Sequence, residues 1–252
     1  MAFVLAESAA GGAAVLFLSP LWNEVRRGFF LLTGGIVVAL AAGAAAASAS
    51  SRAPGMAGSG PAVWLAVALA AGTLLWLVLL ALRAGTAARV LGLLTVPLAV
   101  AMLVAFARLT GDPLALSVFQ LLAGALFTGA VLDGLLLGHW YLTDRRLTRT
   151  PINRMTWLLI AAVVVEAAAV VSGFGEGNGS ASTSLNPLLS VGGSASWIAL
   201  GMVACTGLIA AFIRLTLRGK RPTAVQSATG FFYLAVITAF TAEIAAKVRI
   251  LP

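Results

Sequence analysis

Four acidic side chains interrupt otherwise apolar stretches of the sequence: Glu7, Asp133, Glu166 and Glu243. An ionisable group in hydrocarbon costs about 2.5–3.5 kcal/mol on insertion scales, so each marks a place where chemistry repays attention. Glu166 is the clearest case. It stands in the run Thr156 to Val171, which has no basic residue at helical spacing. It lies about 20 Å along the axis of a helix starting near residue 153, just past the midplane. Such a carboxyl group is protonated, paired with another helix, or facing water. Glu166 and Asp133 are therefore the candidate proton-handling groups, with interhelical packing as the competing role.

The sole histidine lies in Asp133-Gly-Leu-Leu-Leu-Gly-His139-Trp140-Tyr141. Six residues place Asp133 and His139 about 120° apart on a helix, so they are not a metal-ligand pair. His139, Trp140 and Tyr141 form the chain's densest chemical cluster. Gly134 and Gly138 leave room for a neighbouring helix or a flat ligand. An imidazole beside aromatic rings suits a quinone head group, which needs an apolar slot and one or two hydrogen-bond donors. A second polar stripe, Gln226, Thr229, Gly230 and Tyr233, recurs at i, i+3, i+4 and i+7. A stripe of this kind is costly against lipid, so it is expected to face the bundle at the depth of His139. Glu243 and Lys247 stand at i,i+4 and can pair.

The elements that must position these residues follow from composition. The chain has 252 residues, 61% hydrophobic and 10% charged, with a mean hydropathy of +1.04. A soluble domain carries about a quarter charged residues, so a water-soluble enzyme is excluded, as is a disordered chain. One Cys and one His are too few for an iron–sulfur cluster, a structural zinc site or a bis-histidine haem. No run resembles a phosphate loop, a Ser–His–Asp order or a metal motif. Cys205 reads as a buried small hydrophobe that makes a small-xxx-small contact with Gly201.

Apolar runs between polar breaks predict eight spans, roughly 2–22, 28–50, 61–83, 86–107, 113–143, 153–173, 187–214 and 223–249. The runs do not alternate as barrel strands would. The fold expected is all-α: one polytopic helix-bundle domain over residues 1–252. The first run is the least regular, with Glu7 and Gly11-Gly12. Arg26-Arg27 follow it and do not precede it, which argues for a retained span and against an export signal. Pro97 is expected to kink the fourth span.

Charge gives the orientation. Arg26, Arg27, Arg83, Arg89, Arg145, Arg146, Arg149, Arg154, Arg214, Arg218, Lys220 and Arg221, twelve of the sixteen basic residues, fall on the odd-numbered loops. The positive-inside rule then places those loops in the cytoplasm and both termini outside, in a bacterial inner (plasma) membrane. The net charge of +8 reflects topology and attraction to anionic lipid, not nucleic acid. Trp22, Trp140 and Trp157 fit an inner aromatic belt, and Trp64 and Trp197 an outer one. Segment 50–61 reads as a flexible connector. The sequon at Asn178 means nothing in the high-GC bacterium that the Ala- and Gly-rich composition suggests.

In span count, size, lack of haem ligands and a polar aromatic cluster near one face, the chain resembles the eight-span anchor subunits of respiratory oxidoreductases of the polysulfide- or dimethyl-sulfoxide-reductase type. That resemblance implies partner subunits that carry the electron carriers, while this chain supplies a quinone pocket and a proton route without its own haem or cluster. Two other classes stay open. One is a proton-coupled transporter or channel using Glu166 and Asp133, although residues 1–126 and 127–252 show no evident repeat. The other is a structural or assembly subunit. A retinal protein is disfavoured because Lys247 lies too near the end of the last span for a buried Schiff base.

Overall fold

Long uninterrupted runs of Ala, Leu and Val become helices wherever Gly, Pro and polar residues do not break them. In the computed structural model these are α1 Ala2–Leu18, α2 Arg27–Ser50, α3 Gly60–Ala81, α4 Gly85–Ala107, α5 Leu114–Thr143, α6 Thr150–Ser172, α7 Val191–Arg218 and α8 Ala224–Ile250. The structure describes residues 1–18, 24–50, 60–144, 147–174, 191–219 and 223–250. Trp22, Arg52, Arg145, Arg146, Lys220, Arg221, the connector 51–59 and the Asn178 sequon lie outside the described residues, as does the side chain of Arg249. No strand occurs among the described residues.

Seven helices are long and apolar enough to cross a membrane. α1, with 17 residues, is shorter, about 25 Å. It nevertheless runs through the bundle from end to end. Glu7 meets Lys247 near the end of α8, and Phe17 meets Trp76 near the end of α3. The least regular run in the sequence is thus the most enclosed helix, buried at nearly every position. Elsewhere large apolar side chains point outward, among them Leu74, Leu94, Val164, Leu208 and Ile237. Such a surface belongs in lipid, and the chain is a polytopic helical membrane protein.

The helices form two four-helix units. α1 packs on α2 and α4, with α3 closing the ring; α5 packs on α6 and α8, with α7 closing the second. α1 and α5 join the two. There the backbones touch: a Cβ on Gly11 would lie 1.7 Å from the carbonyl oxygen of Ala125. The sequence shows no repeat, yet the fold has one. Lipid-embedded helices exchange Ala, Leu and Val freely while keeping the same packing, so topology recurs without residues recurring.

Among the described residues, Arg26, Arg27, Arg149, Arg154 and Arg214 gather on one face of the bundle. There Arg26 Nε pairs with Asp144 Oδ2 at 2.9 Å, and Arg154 Nη1 with Glu24 Oε1 at 2.7 Å. Arg149 Nη1 donates to Gly219 O at 2.6 Å, and Arg27 Nη2 donates to Ala81 O. The guanidinium of Arg214 lies 5.2 Å from the Trp157 ring centroid. The start of α1 and the end of α8 lie on the opposite face, called here the termini face.

Some local expectations change. Cys205 is exposed and Gly201 touches no neighbour. α7 buries Ala199, Val203, Thr206, Ala210 and Ile213 instead, and that stripe turns Gly201 and Cys205 outward. Trp64, Trp157 and Trp197 are more than half exposed, as belt residues should be. Trp140 instead packs inward on Gly28 and Phe29.

Candidate functional site

Counting along the helices brings several polar residues to one depth. Glu7 is five residues from the start of α1, and Gln120 six from the start of α5. Glu166 is six residues from the end of α6, and Glu243 seven from the end of α8. At 1.5 Å per residue, each lies about 8–10 Å below the termini face. All four side chains are buried.

They converge on one ammonium group. Lys247 Nζ lies 2.6 Å from Glu7 Oε1 and 3.3 Å from Glu243 Oε2, with all three side chains almost fully enclosed. The i,i+4 pairing within α8 is thus present, and α1 adds a second carboxyl from the other four-helix unit. Although Lys247 stands near the end of the last span, it is buried, because α1 covers it. Glu166 stands at the same depth on α6 and shares a small cavity with Gln120 and Lys247.

Gly124 of α5 makes the gathering possible. A Cβ there would stand 2.7 Å from Glu7 Oε1 and 2.9 Å from Glu243 Oε2. Any larger residue would push both carboxyl groups off the α5 backbone. Beside them Gln120 donates from Nε2 to Ala169 O at 3.5 Å. A small cavity touches Gln120, Glu166, Ala169, Ser196 and Lys247.

Charge balance limits what this cluster can be. Three carboxylates and one ammonium would leave two uncompensated negative charges in a dry interior, at a cost of several kcal/mol each. The cluster is neutral when two of the three carboxyl groups hold protons. Glu7, at the shorter distance to Lys247, is its natural ionised partner, which leaves Glu166 and Glu243 as the two carboxyl groups that charge balance calls on to be neutral. Among the described residues no group of three or more His, Cys, Asp or Glu is arranged to hold a metal ion.

Asp133 lies elsewhere. It is nine residues beyond Gly124 on α5, about 13 Å along the axis. It is buried, and its Oδ2 has no hydrogen-bond partner.

The structure divides the candidate quinone residues. Tyr141 and Gln226 line one cleft at the basic face, of about 450 Å³, together with Leu142, Leu147, Arg149, Thr223 and Val225. The Tyr141 hydroxyl donates to Thr148 O. His139, Trp140, Thr229 and Tyr233 do not line it. His139 is exposed and Tyr233 half exposed. The room expected over Gly134 and Gly138 is taken by α8. A Cβ on Gly134 would meet Phe232 at 2.2 Å, and one on Gly138 would meet Thr229 Oγ1 at 2.7 Å. The stripe therefore splits: Thr229 packs against α5, while Gln226, Gly230 and Tyr233 point outward. Gly134 and Gly138 seat a helix rather than a flat ligand.

Glu166 is a candidate site residue from sequence; Glu7, Glu243 and Lys247 stand out there only as costly or paired charges, and Gln120 not at all. The depth count given above is the signal that groups them. Against protein families, characterised proteins and solved structures alike, the chain finds no match.

Proposed function

We propose that this chain is a proton-handling integral membrane protein, with Glu166 and Glu243 as the pair that takes up and releases the proton. The supporting observation is the enclosed cluster of three carboxyl groups on one lysine. Packing alone calls for no such group, because interhelical adhesion is served by hydroxyls and small residues. Under this reading Lys247 holds Glu7 ionised and keeps the site neutral. Gain or loss of one proton at Glu166–Glu243 changes the charge that α5, α6 and α8 enclose. Asp133 extends the route toward the basic face. The positive-inside rule makes that face cytoplasmic and the cluster external, in a bacterial plasma membrane. The short described loops leave little chemistry outside the membrane, so partner subunits or a transported substrate complete the activity.

The test is proton flux into proteoliposomes under an imposed gradient, followed with an enclosed pH dye. Glu166→Gln keeps shape and hydrogen bonds but cannot titrate. It is expected to lower flux by roughly a hundredfold, the scale of a lost acid–base group, while leaving the fold intact. An unchanged flux would assign Glu166 to packing.

The cleft lined by Tyr141 and Gln226 favours a second setting for the same proton site, that of a subunit in a quinone-linked electron-transfer complex. The Gln226 amide, a hydrogen-bond donor beside Leu142, Leu147 and Val225, suits a quinone carbonyl, and Tyr141, whose proton goes to Thr148 O, supplies an aromatic wall. Saturable displacement of a fluorescent quinone analogue from the purified protein supports this setting, and its absence removes it.

A further inference from the structure

Resting on that proton-handling reading, we infer that one water molecule is bound between Gln120, Glu166 and Lys247, and that protons reach Glu166 from the termini face through it. The cavity these side chains share offers about 10 Å³ to water, close to the room that a single molecule occupies. Cavities of that size stay dry when apolar and fill when two to four polar partners line them.

Here the donors and acceptors match. Gln120 Oε1 and Glu166 Oε2 are buried and receive no hydrogen bond. Gln120 is held by its Nε2 bond to Ala169 O, which leaves the amide oxygen for another donor. Lys247 has three ammonium protons, and Glu7 and Glu243 account for two. A water can give its two protons to Gln120 and Glu166 and accept the third from Lys247. Three buried polar atoms are thereby satisfied by one molecule, where direct contact would leave two acceptors unfilled. Ser196 of α7 borders the same cavity.

Among the described residues, the groups facing Glu166 come from four elements. α1 supplies Glu7, α8 supplies Glu243 and Lys247, α5 supplies Gln120 and α7 supplies Ser196. Of these, Gln120 and Ser196 do not titrate. Gln120 is thus a positioning residue: it orients the water and exchanges no proton of its own. The transfer balances without a further reactant. When Glu166 has given up its proton and is ionised, the water, protonated from the termini face, passes one proton to Glu166 Oε2 and is left neutral, and Glu166 is again the neutral acid; release runs in reverse.

The test has two arms on the full-length protein. A structure that resolves ordered water should show one molecule within hydrogen-bond distance of Gln120 Oε1 and Glu166 Oε2; an empty or lipid-filled cavity overturns the inference. The second arm follows hydrogen–deuterium exchange of the carboxyl infrared band that Glu166→Gln removes. Gln120→Leu should slow that exchange by roughly tenfold, equivalent to a barrier increase of about 1.4 kcal/mol. Exchange in Gln120→Leu as fast as in the parent chain overturns the water relay. A Glu166 band that exchanges normally yet never responds to pH would instead overturn the proton-handling reading while leaving the water site standing.

Discussion

The first four helices and the last four share a topology and bury opposite chemistry. α1–α4 enclose rings: Phe3 on Phe106 at 5.4 Å, Phe17 on Trp76 at 4.9 Å, Phe29 on Phe30 at 5.4 Å. No residue of α2, α3 or α4 contributes a buried charged side chain. α5–α8 bury Asp133, Glu166, Glu243 and Lys247. Glu7, the one buried acid of the first unit, reaches across to Lys247 of the second. One unit encloses rings and the other encloses charge, and α1 belongs to both; on the proposed function the second unit is the site and the first its scaffold. Function concentrates where polar groups are costly to keep, because only a selected role offsets that cost in lipid.

The largest expected effect tests the ionic side of this contrast. Lys247→Met leaves Glu7 and Glu243 enclosed without a counter-ion. Removing one partner of a buried pair costs about 3–5 kcal/mol, to be read from detergent or thermal denaturation. Adding Glu7→Leu should recover much of the loss, since apolar replacement of a whole buried pair is often neutral. A loss under about 1 kcal/mol for Lys247→Met would mean that the lysine is not the cluster's compensating charge.

A smaller effect tests the scaffold. Gly34 lies beneath Trp76, and a Cβ there would stand 2.6 Å from the indole Cζ3. Gly34→Ala overpacks this ring and is expected to cost about 1–3 kcal/mol. Proton flux per folded molecule should not change. A changed flux would show that the apolar unit takes part in the mechanism, and the division between scaffold and site would fail.

How much of this was legible beforehand varies with the signal. Eight apolar runs gave eight helices, because span length and hydropathy are properties of single segments. The pairing of Glu243 with Lys247 was legible for the same local reason. Glu166 was recognisable as costly but not as part of a cluster, because its partners come from α1, α5 and α8. Gln120 carries no charge and drew no notice. Gly124 matters only because two carboxyl groups from other helices rest on it, which no local pattern reveals. The joining of His139 to Tyr233 failed to appear for a geometric reason. Equal depth brings two residues to one level, but helix rotation decides whether they meet, and Phe232 and Thr229 occupy the face that α8 turns to α5.

The smallest expected effect separates two parts of the basic face. His139 stands in the last turns of α5, exposed, with no hydrogen bond or ion pair described for it. Exposed substitutions away from caps and networks stay within about 0.5 kcal/mol, so His139→Ala should leave both stability and quinone-analogue binding unchanged. Gln226 is exposed as well, yet it lines the cleft with Tyr141. Gln226→Leu should therefore be equally silent in denaturation but weaken analogue binding about five- to tenfold, the effect of losing one hydrogen bond worth about 1 kcal/mol. The two substitutions match in exposure and differ only in the surface they occupy. Were His139→Ala to abolish binding while Gln226→Leu had no effect, the ligand would sit on the outward face of α5, and the cleft between the α5–α6 and α7–α8 turns would lose its role.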